Sequence, residues 1–507
     1  MGNMSSKSTQ EIWFLTGSQE LYGPETLNQV AEHSREIAAH LDAKLPLRVI
    51  WKPTLKGPDA ISQMCLDANA SPACVGVITW MHTFSPAKMW IGGLTHLTKP
   101  MAHLHTQFNR ELPWSQIDMD FMNLNQSAHG DREFGFVVAR LRLEHKIVVG
   151  HWQDSDVVAD LESWSRVAGA VAESRRLKIV RFGGMNMREV AVTGGDRVEA
   201  QIQFGWSING HAVGDLVERI AEVRDGEIEQ LVEEYEATYT LAPALRRGGD
   251  HRENLRHAAR QEIGMRAFLT AGGYGAFTTT FEDLHGLNQL PGLACQRLMA
   301  DGYGFGAEGD WKTAALVRLM KVMSAGSPAR KGGVSFMEDY TYHLVKGEER
   351  VLGAHMLEVC PSIADGADGK PSLEVHPLGI GGKAAPCRLV FSAAPGPAVA
   401  ATLVDMGGRM RLIVHEVDAI KAEHAMPKLP VARALWVPRP DFRRGCQAWL
   451  LAGGAHHTSF SQAVTAEQME DLAGMLGVEH VRIGHGTDLS ALKKELRWGD
   501  VAFRMGR

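Results

Sequence analysis

Short, wholly apolar runs, set apart by stretches long enough to hold a helix, constrain this chain more than any other feature. Ile12-Trp13-Phe14-Leu15 is stopped by Thr16-Gly17-Ser18 and followed by a helical pattern from Glu25 to Leu41. Cys74 to Trp80 and Lys146 to Gly150 repeat the apolar run. A strand that is apolar on both faces must be covered on both, which is the condition of a parallel sheet between helices. A first α/β domain is therefore expected over residues 1–177. A second strand set begins at Lys178-Ile179-Val180-Arg181-Phe182, continues with Val190-Ala191-Val192 and includes Phe277 to Phe281. Long helices are expected at 215–239 and 253–271, and another from Trp311 to Met323 with Asp310 as its N-cap. This makes a second α/β domain over 178–330. Beyond the polar segment Ser324 to Gly333 the pattern turns to hairpins and alternation. Strands are expected at 334–345, 350–359, 387–392, 410–418 and 447–452, with a closing helix near 465–476. The fold class is thus two Rossmann-like or flavodoxin-like parallel-sheet domains followed by a mostly antiparallel, β-rich C-terminal domain over 331–507. Size alone asks for such a division, because the chain has 507 residues and single cores stop growing at roughly 250–300.

Composition removes several classes of function. The formal charge of -6 and the lack of a Lys/Arg-rich face interleaved with aromatics argue against nucleic acid and anionic membranes as partners. No run of about 18 apolar residues and no signal-peptide pattern occurs, so a cytoplasmic protein is expected. Six cysteines without a C-x-x-C pair argue against a thiolate zinc site or a disulfide framework. The 22 histidines, clustered at His103/His105 and His456/His457, offer imidazole ligands instead.

Three segments carry candidate chemistry. Phe336 to Leu344 and Val351 to Glu358, joined through Lys346-Gly347-Glu348, read as a β-hairpin. With Lys346-Gly347 as the loop, Glu338 lies opposite His355; with Gly347-Glu348 the two become diagonal neighbours on one face. A slip by one residue would send them to opposite faces, and the plainer alternative for the hairpin is a half-exposed cross-strand Glu/His pair. Glu308 stands in a glycine-rich segment whose Gly304, Gly306 and Gly309 match G-x-G-x-x-G. The motif follows a helix (Cys295 to Met299) rather than a strand and lacks a ribose-binding acid, so a dinucleotide site is rejected. The glycines are expected to let backbone approach a ligand while the loop projects Glu308. His456-His457 follows the apolar run Trp449-Leu450-Leu451, and on extended chain only one of the pair faces a given point. Two carboxylates and two imidazoles, if they converge, suit Mn2+, Co2+ or Fe2+ better than Mg2+ or Ca2+.

Taken together, these segments resemble the L-arabinose isomerase family from about Glu11 to Trp498. The likeness rests on Thr16 to Gly23, His82 to Trp90, Asp118 to Gln126, Phe277 to Leu284, the Glu308 loop, the Glu338/His355 hairpin and the His456-His457 turn. It implies that Glu308, Glu338, His355 and His457 bind one divalent ion, typically Mn2+ with Co2+ as a substitute, and that the two glutamates also act on the sugar. It implies substrate contacts from Gln19, Leu21, Met187, Phe281 and Ile380. It further implies that His129 approaches the site of a neighbouring subunit, in a homo-oligomer that is commonly a hexamer. The segment Arg181 to Arg188 departs from the family pattern: it lacks the usual acidic residue after the glycine and is one residue longer.

The reaction so implied is aldose–ketose isomerisation of L-arabinose to L-ribulose, extending to D-galactose and D-tagatose. Proton transfer would run through a cis-enediol, with Glu308 and Glu338 as acid and base. A fucose-isomerase-like preference, a metal-dependent lyase or hydrolase on polyols, and a non-catalytic sugar-binding protein are the rival readings.

Overall fold

The computed structural model describes residues 9–184, 186–327, 332–379 and 382–506. They fall into two compact units, divided in the chain between Ala172 and Glu173. In the first unit, strands β1 (Glu11–Gly17), β2 (Arg48–Trp51), β3 (Cys74–Met81), β4 (Met101–His105) and β5 (Lys146–Val149) form one parallel sheet in the order β2-β1-β3-β4-β5. Every residue of β3 is buried, as a central strand with helices on both faces requires. This is the flavodoxin-like order, and its switch point lies between β1 and β3, where such sheets bind ligands beyond the strands' carboxyl ends.

The second unit begins with β6 (Lys178–Phe182), β7 (Ser207–His211), the two-residue β8 (Thr240–Leu241), β9 (Ala276–Thr278) and β10 (Gly304–Gly306). Four of these make a parallel sheet in the order β10-β9-β6-β7. Then follow β11 (Val334–His343), β12 (Arg350–Ala354), β13 (Ser372–Val375), β14 (Cys387–Val390), β15 (Gly396–Asp405), β16 (Met410–Ile420), β17 (Arg433–Pro438), β18 (His457–Ser461) and β19 (Glu479–Ile483). Their main sheet runs β15-β18-β11-β12-β17-β16-β19, antiparallel except for the last pair, and a further β15–β16 pairing closes six strands into a ring. The two parallel-sheet regions and the antiparallel C-terminal region are the fold class expected. Among the described residues, no helix is long and apolar enough to cross a membrane.

Several local expectations are corrected. The apolar run at 447–452 is not a strand but the end of the helix Phe442–Ala452, started by the Asp441 side chain accepting from Arg444 N and stopped by Gly453 at φ 84°. Gly445, Ala448, Trp449 and Ala452 are buried at helical spacing while Leu450 is exposed, so period overrides apolarity. The helix expected at 215–239 is two, Val213–Ala221 and Asp225–Thr238, because the Glu227 carboxylate accepts from Arg224 N and starts the second afresh. Val190-Ala191-Val192 forms no strand; the carbonyls of Val192, Thr193 and Gly194 are taken by the buried Lys312 ammonium instead of a ladder. The strand expected through Phe281 ends at Thr278. Strands β15 and β17 and the helix Leu489–Met505 were not foreseen.

Candidate active site

Glu338 sits on β11 between two partners: His457 of β18 stands directly across from it on one side and Ala354 of β12 on the other. The hairpin keeps the Lys346-Gly347 register at its outer end, where His343 faces Arg350. A bulge at Tyr340 then shifts the inner half by one residue. By alternation alone this slip would turn His355 away. It does not, because β12 ends at Ala354 and the chain is free to swing the His355 ring back, to 3.9 Å from Glu338. Phe336, two residues before Glu338 on the same face, lies edge-on to both imidazoles, with ring centres 4.9 Å from each, and so forms an apolar floor beneath them.

Glu308 comes from the other side, on the loop between β10 and the helix Trp311–Ser324. Its backbone is left-handed at φ 59°, a conformation that costs a non-glycine residue about 1–3 kcal/mol and persists where surrounding contacts hold it. The glycines around it serve packing rather than ligand approach, which corrects the expectation. A Cβ on Gly304 would lie 2.0 Å from Ala314 O and one on Gly306 2.3 Å from Asp310 O, so they let the strand touch its own helix. Glu308 Oε2 lies 3.5 Å from His456 Nε2 and 3.7 Å from His457 Nε2. Both adjacent histidines thus reach one carboxylate, against the alternation argument, because His456 is in a bend before β18 starts.

Each buried imidazole is oriented by a second carboxylate. His355 Nδ1 is 2.5 Å from Glu358, and His457 Nδ1 is 3.2 Å from Asp310. Asp310 also accepts from Thr313 N as the expected N-cap and pairs with Lys312. Neither Glu358 nor the Asp310–His457 link was singled out in the sequence. The signals were there in the three-residue spacing of His355 and Glu358, one chain turn, and in Glu308-x-Asp310. Burial alone would raise the Asp310 carboxyl, but Lys312 and His457 hold it well below the usual carboxylate range. Burial likewise opposes charge on Glu308 and His355, and in both cases neighbours prevail. The three imidazoles lower Glu308, and Glu358 with the two site glutamates raises His355. The hydrogen bond to Glu308 raises His456.

The Nε2 of His457 has no hydrogen-bond partner although the residue is fully buried. A buried lone pair aimed at a carboxylate, with its ring's other nitrogen held by Asp310, is the arrangement in which a histidine ligates a metal. Glu308, His456 and His457 offer donors within 4.8 Å of one another, so a divalent cation fits the residues present.

Glu308, Glu338, His355 and Glu358 line a cavity of about 130 Å3 that also includes Phe281, Leu357 and Tyr340. Phe281 therefore shares the cavity with Glu308, Glu338 and His355. Its turn is fastened to the altered 183–188 loop, since Gly184 N donates to Asp283 and Arg188 N to Glu282. Met187 is half-buried in that loop and does not line the cavity. Ile380 lies outside the described residues. Gln19, Leu21 and His129 belong to the first unit. There Gln19 Nε2 donates to Phe84 O, the Phe84 ring stacks on His129 with centres 4.5 Å apart, and Leu21 is 83% exposed.

The family models of L-arabinose isomerase match in series: the N-terminal domain at residues 6–176, the central domain at 178–326 and the C-terminal domain at 333–479. The L-arabinose isomerase of Geobacillus stearothermophilus is 60% identical over 503 residues, 99% of this chain and all of the relative. That of Geobacillus thermodenitrificans is 61% identical over the same span, and that of Yersinia pseudotuberculosis 55% over 98% of this chain and 99% of its own. A fold of this kind, matched along nearly the whole chain by these relatives, is that of an isomerase. The chain belongs to the L-arabinose isomerase family.

Proposed function

We propose that the chain converts L-arabinose to L-ribulose in a metal-dependent reaction centred on Glu308, Glu338, His355 and His457. The observation that carries this reading is the shared orientation of two buried imidazoles. Carboxylates hold the Nδ1 of His355 and His457, leaving each Nε2 turned toward a glutamate. These four residues would hold one divalent ion, Mn2+ being our choice for a mixed oxygen and nitrogen donor set and Co2+ its substitute. When bound, such an ion acts as a Lewis acid on sugar oxygens and makes the C2 proton easier to remove.

The protein's own groups then do the transfer. One glutamate takes the C2 proton and returns it to C1, while the other moves the hydroxyl proton, giving a cis-enediol between aldose and ketose. Glu308, kept ionised by its imidazole neighbours, is suited to accept a proton; the two glutamates share the roles. Phe281, Leu357 and the Phe336 floor keep water from the reacting carbons. D-galactose, which is longer by one hydroxymethyl carbon, is a second substrate of the same chemistry.

The reading also has the chain act as a homo-oligomer, a hexamer in the family's usual form, in which Gln19, Leu21 and His129 of one copy serve the centre of another. The exposed Leu21 and the Gln19-Phe84-His129 cluster, beyond the switch point of the first sheet, support it. The domain boundaries 1–177, 178–330 and 331–507 and a cytoplasmic location belong to the same proposal. The test is isomerisation of L-arabinose in tritiated water by chelator-treated protein reloaded with Mn2+. Ketose should form only after reloading and should carry label at C1; complete retention of the substrate hydrogen would replace the enediol with a hydride shift.

A further inference from the structure

A second set of ligating side chains lies in the first unit, remote in sequence from the glutamate centre. His103 and His105 alternate onto the same face of β4 and meet Asp131 of the helix Ser127–Leu141. His103 Nε2 is 3.0 Å from Asp131 Oδ1, and His105 Nδ1 is 2.5 Å from Asp131 Oδ2. His103 is 4% exposed and Asp131 6%.

A plain hydrogen-bonded triad would leave no atom unused. Here His103 Nδ1 is engaged by the Thr79 hydroxyl at 2.9 Å, yet its Nε2 and the facing Asp131 Oδ1 are both enclosed and have no hydrogen-bond partner despite their closeness. Among the described residues, the ion pairs of Asp131 are to these two imidazoles alone, with no ammonium or guanidinium. Two enclosed ligating atoms without hydrogen-bond partners, one of them on a buried carboxylate, are costly unless a cation sits among them. One atom from each residue lies within 4.8 Å of the others, a spacing that a cation bound at about 2.0–2.2 Å can bridge after small side-chain rotations. The half-exposed His105 opens onto a separate cavity of about 330 Å3, lined also by Thr106, Gln107, Ser127 and His151, which gives a path of entry and room for a water as fourth ligand.

We propose that His103, His105 and Asp131 form a second divalent-cation site, of the class that takes Zn2+ or Co2+, clipping the end of β4 to the helix Ser127–Leu141. Two imidazoles and a carboxylate with one open position are the donor set of such ions. The helix so held also carries His129, so the ion would fix the register of that residue against the sheet.

The test is a count of metal per chain. Full-length protein is stripped with chelator, re-equilibrated with Zn2+ and, separately, Co2+, and assayed by plasma mass spectrometry. Wild type should hold two ions, and Asp131→Asn and His105→Asn one each, with unchanged circular dichroism. The double variant Glu308→Gln/Glu338→Gln should retain one ion, and this count stands even if the Asp131 variant fails to fold. Asp131→Asn and His105→Asn keeping the wild-type number, or the glutamate double variant holding none, would each overturn the second site. Failure of the glutamate variant to lose an ion would instead count against the centre proposed for catalysis, leaving Asp131→Asn and His105→Asn to decide this one.

Discussion

Two pairs of histidines, one in each unit, are treated in opposite ways. In the first unit His33 Nδ1 meets His82 Nε2 at 2.7 Å, His33 stacks on Phe108, and His82 stacks on Trp80. Among the described residues, no carboxylate hydrogen-bonds to either ring. Burial, and then the neighbouring His33, push His82 down to about 3, and burial lowers His33 as well. In the second unit His355 and His457 are both buried, but Glu358 and Asp310 hold their Nδ1 atoms. His355 is accordingly raised rather than lowered. Histidine content therefore says little about chemistry; the group on the far ring nitrogen decides whether a ring is fixed neutral packing or an oriented donor.

The comparison can be broken most sharply at the glutamates. Glu308→Gln and Glu338→Gln should each lower ketose formation at saturating Mn2+ by about a thousandfold or more, as loss of a positioned acid or base does. A variant keeping a tenth of wild-type turnover would remove that residue from the chemistry. Next in size is acid sensitivity of the first unit. An unfolded His82 titrates near 6.5 and the folded one near 3, so between these values the unfolded chain binds the extra proton. Stability should then fall as pH drops through that window, by up to about 1.4 kcal/mol per unit from this residue. His82→Asn should flatten the slope, read from hydrogen exchange of β3 amides between pH 7 and 4; an unchanged slope would clear His82 of the effect.

A smaller effect is expected where the second unit orients its ring. Asp310→Asn keeps the shape but not the charge, and should weaken Mn2+ affinity about 10–100-fold by calorimetry while Glu308 and Glu338 stay in place. Affinity equal to wild type would mean that His457 needs no orienting carboxylate. The smallest effect concerns Leu21. Leu21→Ser should alter unfolding free energy by no more than about 0.5 kcal/mol, since the side chain is exposed. It should nevertheless raise KM for L-arabinose if a neighbouring copy uses it; an unchanged KM would remove Leu21 from the substrate contacts.

What the sequence disclosed follows the range of the interactions involved. The buried strands β1, β3 and β6 and the Asp310 cap are local signals, and each was readable from a few neighbouring residues. Glu338 and His355 were expected to converge, and do, yet the reason differs. The hairpin loop gave the outer register, whereas the bulge at Tyr340 and the swing after Ala354 depend on β17 and β18 pairing from either side. The run Trp449-Leu450-Leu451 misled because apolarity without period cannot separate a strand from a helix face. Asp310 shows the limit best: its cap was visible in sequence, but its bond to His457 spans 147 positions and no local pattern announces it.

The pairing of Glu338 with His457 across adjacent strands has a consequence for synthesis. The ribosome must release nearly the whole chain before β18 can join β11, so no nascent intermediate can carry the finished centre. Earlier segments can fold and wait, but this pairing arrives in one late step. Premature termination anywhere before residue 457 would leave Glu338 without the strand that stands across from it.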